Sequence, residues 1–450
     1  MTRIACDECT RAATARAVAG RGLPVVEPGM PTPAGTGLTR RTFVARSLGL
    51  ALSVYGAGKL SLFDGGIAEA ATGAPGPVLV TVFLEGGADA LSLLAPVGDP
   101  LYRKLRPNLA VTGGAPFIAD ARLSWHPALA PLAQLDGEGK VAVCPAIGYD
   151  HPDQSHFTSR HFWEVGATDP RLLTGWLGRY LDATGRPDNP LQGLSLGGTL
   201  QPSLATARVP VAAIDGPGQY DFWVPGVWGE VEARMLDAMD SLGRLRSGDA
   251  AFATAANVTR QSATLRRQLL PFASDKGISS PVQYPSGDDS FPKQLQGLAA
   301  MIAAGLPLHC VALQASGEYD THAGQKAALT PALNMTAASL FAFQRDLEAR
   351  GIADRVLTLV WSEFGRRAEE NGSGGTDHGA AGAAFLIGSR VSSGQVGEFP
   401  GLASLDADGN VKATADFRGV YCALLEQWFG FDADRIVPSG GRFQRPKLVA

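Results

Sequence analysis

The segment RVLTLVW (Arg355–Trp361) is a run of apolar and β-branched residues that leads directly into SEFGR (362–366). A continuous run of this kind is typical of a central parallel strand that is covered on both faces. The run at Pro77–Leu84 has the same character and leads into the glycine-rich segment EGGAD (85–89). Each run therefore predicts a buried strand with an acidic residue just beyond its carboxyl end.

Strand and helix patterns alternate along the rest of the chain, which predicts a mostly parallel sheet with helices on both faces. Further strands are expected at Lys140–Ile147, Pro210–Ile214, Leu308–Gln314 and Ala383–Ile387. Helices are expected at His126–Gln134, Gln154–Val165, Leu172–Ala183, Val227–Leu245, Ala250–Leu269, Pro292–Ala304, Gln325–Arg350 and Phe417–Phe429. Ligands of such sheets bind beyond the carboxyl ends of the strands. We therefore expect Asp89, the segment 151–156, Asp320 with His322, and Glu363 to converge.

Composition limits the class of protein. The chain has 450 residues, of which 45% are hydrophobic, and a formal net charge of −4. This apolar content excludes a wholly disordered chain. The absence of a concentrated basic run argues against nucleic acid as a partner, because phosphate binding needs such a face.

The N-terminal part of the chain has the pattern of an export signal. Arg40 and Arg41 are followed by Phe43, a twin-arginine motif, and then by the weakly apolar run 47–58. This run is too short to span a bilayer, and Ala68-Glu69-Ala70 has the spacing of a cleavage site. We expect residues 1–73 to be an extension and signal peptide, with Met30 as an alternative start. Residues 74–450 would be the domain, with 216–287 as an insertion or cap. The predicted route is the Tat translocase, with a periplasmic or extracellular location and no stable membrane span.

Histidine and acidic residues cluster at the expected loops. Asp320 stands two residues before His322, and Asp377 stands next to His378. Carboxylate with imidazole on short glycine-flanked loops is a pattern for a divalent cation such as zinc, manganese, iron or calcium. Asp320, His322 and His378 are therefore candidate ligands. Glu363 is either a ligand or a group that caps its loop.

Two other groups are candidates for substrate chemistry. Ser155 begins the helix expected over 154–165, and a hydroxyl at a helix N-terminus suits a nucleophile as well as an ordinary N-cap. Arg160 and Arg366 are candidates to hold an anionic substrate.

The order of these motifs resembles that of a bacterial exported family, the domain of unknown function fifteen hundred and one. The resemblance covers about Val78 to Gly430, and it is carried by the twin-arginine leader and by LEGGADALS (84–92), QSHF (154–157), YDTH (319–322), SEFGR (362–366) and DHG (377–379). The family is similar to a distant branch of the alkaline phosphatase and sulfatase superfamily. That similarity implies an α/β fold, a three-layer α/β/α sandwich with a mainly parallel sheet.

The resemblance also implies roles for individual residues. Asp89, or less strongly Glu85, would be the acidic ligand after the first strand, and Ser155–His156 would be the nucleophile region. The remaining ligands would be Asp320, His322, Glu363 and His378. Phe364 stands where the superfamily has a ligating histidine, so one ion rather than two is expected.

The combined expectation is an exported, metal-dependent hydrolase of phosphate or sulfate esters that acts on a small anionic ester. The Phe364 substitution keeps open an alternative, a non-catalytic extracellular binding protein with the same fold. A third and weaker alternative is a redox or oxidase accessory protein, because twin-arginine export often carries cofactor proteins.

Overall fold

The computed structural model describes residues 54–55, 76–220, 230–246, 248–273 and 278–450. The main strands are β1 (Val78–Phe83), β2 (Val141–Gly148), β3 (Gly193–Leu196), β4 (Val211–Ile214), β5 (Cys310–Gln314), β6 (Val356–Trp361) and β7 (Gly382–Ile387). The helices are α1 (Ala90–Leu93), α2 (Pro100–Leu105), α3 (Ala130–Gly137), α4 (His156–Val165), α5 (Trp176–Thr184), α6 (Glu230–Gly243), α7 (Ala250–Leu269), α8 (Ser290–Ala303), α9 (Gln325–Ala349) and α10 (Phe417–Gln427).

The seven strands form one mixed sheet in the order β4-β3-β5-β1-β6-β7-β2. β1 pairs in parallel with both β5 and β6, and β3 pairs in parallel with both β4 and β5. β7 is antiparallel to its two neighbours, β6 and β2. The predicted class, an α/β fold with a mainly parallel sheet, is therefore confirmed. Because β7 runs in the opposite direction, its first residues lie at the same edge as the last residues of β1, β5 and β6.

Helices cover both faces of this sheet. Successive side chains of a strand point to opposite faces, and in these strands both sets are apolar and have to be buried. On β1, Val78, Val80 and Val82 belong to one apolar cluster, whereas Leu79 and Phe83 belong to another. The first cluster includes residues of α3, α8 and α9, and the second includes residues of α4, α5 and α10. The architecture is thus helix, sheet and helix in three layers.

Most elements lie where the sequence patterns predict them. The region 216–287 contains α6 and α7, which meet in a small apolar cluster of Leu236, Met239 and Ala263. β3 is the main strand that no pattern indicated, because its four residues include a glycine and a serine. No helix of the described ranges combines the length and the apolar character that a bilayer crossing needs. The predicted export signal and its cleavage site lie outside the described residues, apart from Val54–Tyr55.

Candidate metal centre

Five predicted side chains lie together at the carboxyl edge of the sheet. Asp320 and His322 follow β5, Glu363 follows β6, and His156 begins α4. His378 precedes β7, and the reversed direction of that strand brings it to the same edge.

His156 is held by helix α4 and by a buried carboxylate. It is the first residue of α4, whose N-cap is Ser155. Its Nδ1 lies 2.7 Å from Oε1 of Glu363, and Glu363 is 1% exposed. An ionised carboxylate only accepts hydrogen bonds, so Nδ1 carries the proton and Nε2 faces Asp320 at 3.5 Å from Oδ2. Nε2 is buried and has no hydrogen-bond partner within the described part of the chain.

His378 is oriented by a backbone carbonyl. Its Nδ1 lies 2.8 Å from the carbonyl oxygen of Gln154, which can only accept, so Nδ1 again carries the proton. Nε2 of His378 is then the nitrogen that faces Asp320, at 3.6 Å from Oδ1. His156 and His378 thus present the same ring atom, Nε2, to one carboxylate.

His322 differs from these two histidines in the ring nitrogen that carries its proton. Its Nε2 lies 2.8 Å from Nε2 of His378, which has only a lone pair to offer in the neutral ring. Nε2 of His322 is therefore the donor in that contact. On the other side, Nδ1 of His322 lies 3.6 Å from Oδ1 of Asp377, an oxygen that accepts a hydrogen bond from Asn371 at 3.0 Å.

Asp320 is the acidic centre of the cluster. Burial opposes its ionised form, but the neighbouring His156, His378 and Arg366 side chains hold the pKa of Asp320 far below its usual range. Burial likewise opposes a charged ring at His156, but the carboxylates of Asp320 and Glu363 raise the pKa of His156 to about 9. Without a cation, His156 is therefore protonated at neutral pH.

The glycine pair after β1 permits the close packing around these side chains. Gly86 has φ +120°, and a Cβ there would lie 2.4 Å from the backbone nitrogen of Asp320. A Cβ on Gly87 would lie 2.2 Å from the ring of Phe364. That ring packs against His156 and His378, with both pairs of centroids 4.8 Å apart. Phe364 is thus the apolar side of the cluster, which limits the freedom of both histidine rings.

The donor set fits a divalent cation. The facing atoms of His156, Asp320 and His378 all lie within 4.8 Å of one another. Histidines that bind metal donate their other ring N–H to a carboxylate or carbonyl, and Glu363 and the Gln154 carbonyl have these positions here. Nitrogen and oxygen donors in this combination suit zinc or manganese. His156, Asp320 and His378 would hold the ion, with His322 beside it.

Asp89 has a different environment from the one that the sequence indicated. It is fully buried, and both of its oxygens accept from Arg106, at 2.5 and 2.9 Å. One oxygen also accepts from Ser92 and Gln325. Burial opposes its charge, but Arg106 and these donors keep the pKa of Asp89 low. The occupied oxygens make Asp89 the anion of a buried ion pair rather than a free ligand.

The other predicted residues have structural contacts. The Ser155 hydroxyl accepts from the backbone N–H of Thr158 at 3.5 Å, which is the N-cap alternative. Arg160 pairs with Glu85 at 2.6 Å and with Glu164 at 2.9 Å. Arg366 is fully buried and donates to Asp320 at 2.5 Å.

Two parts of the site were not predicted from the sequence, the Gln154 carbonyl and the side chain of Gln325. The Gln154 carbonyl is a backbone group, so no residue type indicates its role. Gln325 accepts from Thr321 and Thr376 and donates to Asp89, which fastens the loops that carry His322 and His378. Its position three residues after His322, at the start of α9, is the only cue that the sequence offers.

Residues 230–435 match the model of a family described as Protein of unknown function (DUF1501). The resemblance that the sequence motifs indicated is thereby confirmed for this part of the chain, which contains Asp320, His322, Glu363 and His378. No curated protein matches the chain.

Two solved structures are among those that the chain resembles at a low level. One is a protein in the alkaline phosphatase superfamily from Vibrio parahaemolyticus, with a TM-score of 0.35 and 10% identity, covering 91% of this chain and 79% of that one. The other is the PsFucS1 sulfatase from Pseudoalteromonas sp., with a TM-score of 0.31 and 12% identity, covering 85% of this chain and 75% of that one. At these identities and TM-scores the two structures assign no activity to this chain.

Proposed function

We propose that this protein is an exported hydrolase of phosphate or sulfate esters that uses one divalent metal ion, held by His156, Asp320 and His378. The observation that carries the proposal is the shared orientation of the two imidazoles. Each has its Nδ1 proton bound to an acceptor and its Nε2 directed at the Asp320 carboxylate. Two imidazoles that turn Nε2 toward one carboxylate, each with Nδ1 bound to a carboxylate or a carbonyl, have the arrangement that metal-binding histidines adopt.

A bound cation would let the site accept an anionic substrate. Asp320, Glu363 and Asp377 are anionic and Arg366 is cationic, so a divalent ion would bring this group to a net charge of about 0. The side chains of Asp320 and His322 are 41% and 46% exposed, whereas those of His156 and His378 are 28% and 24% exposed. An anion can therefore approach from the side of Asp320 and His322.

The chain supplies the groups that ester hydrolysis needs. A divalent ion held by His156, Asp320 and His378 would polarise an ester oxygen and lower the pKa of a water molecule. The water oxygen would form a bond to phosphorus or sulfur while the bond to the ester oxygen breaks, so that the water gives up one proton and the leaving alkoxide takes up one. His322 would pass this proton on, giving the proton on Nε2 to the alkoxide and recovering one from the water, because its ring is the most exposed of the three histidines. Asp377, fixed by Asn371, orients the His322 ring.

Turnover of two simple esters tests this proposal. Protein loaded with zinc or manganese is assayed with an aryl phosphate and an aryl sulfate, together with His378→Ala, His322→Ala and the control His151→Ala. His151 lies on the exposed loop before α4, outside the metal centre. We expect loss of ion and activity in His378→Ala, loss of activity with the ion retained in His322→Ala, and no change in the control. A folded wild-type protein that binds no ion and turns over neither ester would favour the non-catalytic binding protein.

The location is proposed from the leader sequence. The twin-arginine motif at residues 40–41 and the small residues at 68–70 indicate Tat export to the periplasm or beyond. Replacing Arg40 and Arg41 by Lys should retain the precursor in the cytoplasm, which fractionation with an antibody would show. Unchanged export of that variant would contradict the assignment.

A further inference from the structure

Arg366 lies behind the metal centre, where no substrate can reach it. Its side chain has no exposed surface. Nε donates to the carbonyl of Gly87 at 2.7 Å, Nη1 donates to the carbonyl of Thr376 at 2.9 Å, and Nη2 donates to the carbonyl of Gly86. The guanidinium thus donates its hydrogen bonds to backbone carbonyls inside the protein. This argues against the role in binding an anionic substrate that the sequence suggested for Arg366.

The same guanidinium also holds the central carboxylate. Nη2 of Arg366 lies 2.5 Å from Oδ1 of Asp320. The other oxygen, Oδ2, is then the one that faces Nε2 of His156 at 3.5 Å. A charge-assisted bond of this kind fixes which oxygen faces which partner, because a carboxylate can otherwise rotate about its terminal bond.

Arg366 joins three loops that come from separate strands. Gly86 and Gly87 follow β1, Asp320 follows β5, and Thr376 lies in the loop before β7. Arg366 itself follows β6, and its backbone forms an antiparallel bridge with His378. One side chain therefore fixes the relative positions of two proposed ligands, Asp320 and His378.

We infer that Arg366 is a positioning residue that sets the orientation of Asp320 toward the metal ion and does not contact the substrate. This inference rests on the proposed metal centre and assigns the residue that makes it rigid. The buried guanidinium needs an anionic partner, and Asp320 is its only ion-pair partner among the described residues. Lysine has one donor group on a flexible stem and cannot make these bonds at once.

Metal affinity in a double-mutant cycle tests the inference. The dissociation constant for Zn²⁺ is measured for the wild type, Arg366→Gln, Asp320→Ala and the double variant. Loss of a group that orients a ligand costs about 10- to 100-fold in metal affinity, so we expect Arg366→Gln to weaken binding by this factor. In the Asp320→Ala background the same change should weaken binding by less than about twofold, because the carboxylate that Arg366 orients is gone.

Arg179 provides a matched control. Its guanidinium also donates to three carbonyls, those of Ile436, Thr174 and Val165, but none belongs to the metal centre. Arg179→Gln should leave the Zn²⁺ affinity unchanged. Equal weakening by Arg366→Gln in both Asp320 backgrounds, or equal weakening by Arg179→Gln, would overturn the inference and make Arg366 an ordinary packing residue.

Two further measurements keep the result decisive. Should Arg366→Gln fail to fold, Arg366→Lys, which keeps the charge, takes its place in the cycle with the same criteria. Should the wild type bind no metal, the proposed function fails, and amide hydrogen exchange of the metal-free protein decides the role of Arg366. Faster exchange in loops 85–88, 319–322 and 376–379 for Arg366→Lys than for Arg179→Gln supports positioning, and equal exchange contradicts it.

Discussion

Nδ1 of His156 lies 2.7 Å from Oε1 of Glu363, and this contact decides which nitrogen the ring offers to the rest of the site. Glu363 also accepts from the N–H of Gly86 at 3.0 Å and from the hydroxyl of Ser362 at 3.0 Å. The Glu363 carboxylate is therefore fixed on the Nδ1 side of the His156 ring, and it does not lie on the Nε2 side, where the ion would bind. Of the two sequence alternatives for Glu363, this geometry favours a group that supports a ligand and closes its loop.

Metal affinity should rise with pH. Burial lowers the pKa of His156, but Asp320 and Glu363 outweigh it and raise the value to about 9. Below pH 9 a metal ion has to displace the proton on Nε2 of His156, whereas above pH 9 this nitrogen is already deprotonated. The dissociation constant for Mn²⁺ should therefore fall by about tenfold from pH 7 to pH 8 and level off above about pH 9. Competition with a chelator measures it, and a constant value from pH 7 to 9 would contradict the assignment of His156.

Removing the charge of Glu363 should alter this pH profile. Glu363→Gln keeps an acceptor for Nδ1 of His156, but it removes one of the two carboxylates that raise the pKa of the ring. The midpoint of the Mn²⁺ profile should move to lower pH, and the affinity at pH 9 should fall by about tenfold because the ligand is less basic. Glu85→Gln is the control, since Glu85 is an exposed partner of Arg160. If the pH midpoint of Mn²⁺ affinity were the same in Glu363→Gln as in the wild type, the proposed effect of Glu363 on His156 would be wrong.

The strands could be predicted from the sequence because a strand that is buried on both faces consists almost entirely of apolar and β-branched residues. Residues 356–361 are apolar or β-branched throughout, and their side chains are all buried. The rule for carboxyl ends then placed Asp320, His322 and Glu363 in one region. These inferences need only local patterns and one general property of parallel sheets.

The remaining features depend on tertiary contacts that no local pattern encodes. Nothing in the run Ala383–Ile387 indicates that this strand is antiparallel, although that direction is what brings His378 to the site. The partner of Asp89 is Arg106, which stands 17 residues away in an unremarkable segment. The tautomer of His378 depends on a carbonyl 224 residues away in the chain. Each of these is fixed only when the sheet assembles.

The Asp89–Arg106 pair should stabilise the fold without binding the ion. Asp89→Asn leaves the buried guanidinium without its anion, so the free energy of unfolding should fall by about 3–5 kcal/mol. The folded fraction should still bind one equivalent of metal. Urea denaturation and metal analysis measure the two effects, with Asp120→Asn as a control that costs about 0–1 kcal/mol because its partner Arg122 is exposed. A stable Asp89→Asn protein that has lost its ion would restore Asp89 as a ligand.

A side chain at Gly87 should disturb the site through Phe364. In Gly87→Ala the new Cβ meets the Phe364 ring, so that ring has to move away and release its packing against His156 and His378. We expect a stability loss of about 1–3 kcal/mol from the strained backbone at φ +65° and the clash, together with weaker metal binding. Gly113→Ala separates the two causes, because Gly113 has φ +81° but open space around its Cβ position. Equal metal affinity in the two variants would show that the Phe364 contact is unimportant.

Anomalous diffraction from crystals of the protein loaded with zinc tests the central claim most directly. The metal centre described above predicts one strong anomalous peak bound by Nε2 of His156, Nε2 of His378 and a carboxylate oxygen of Asp320. Absence of a peak among these three side chains in zinc-loaded crystals, or a peak bound elsewhere, would contradict the assignment.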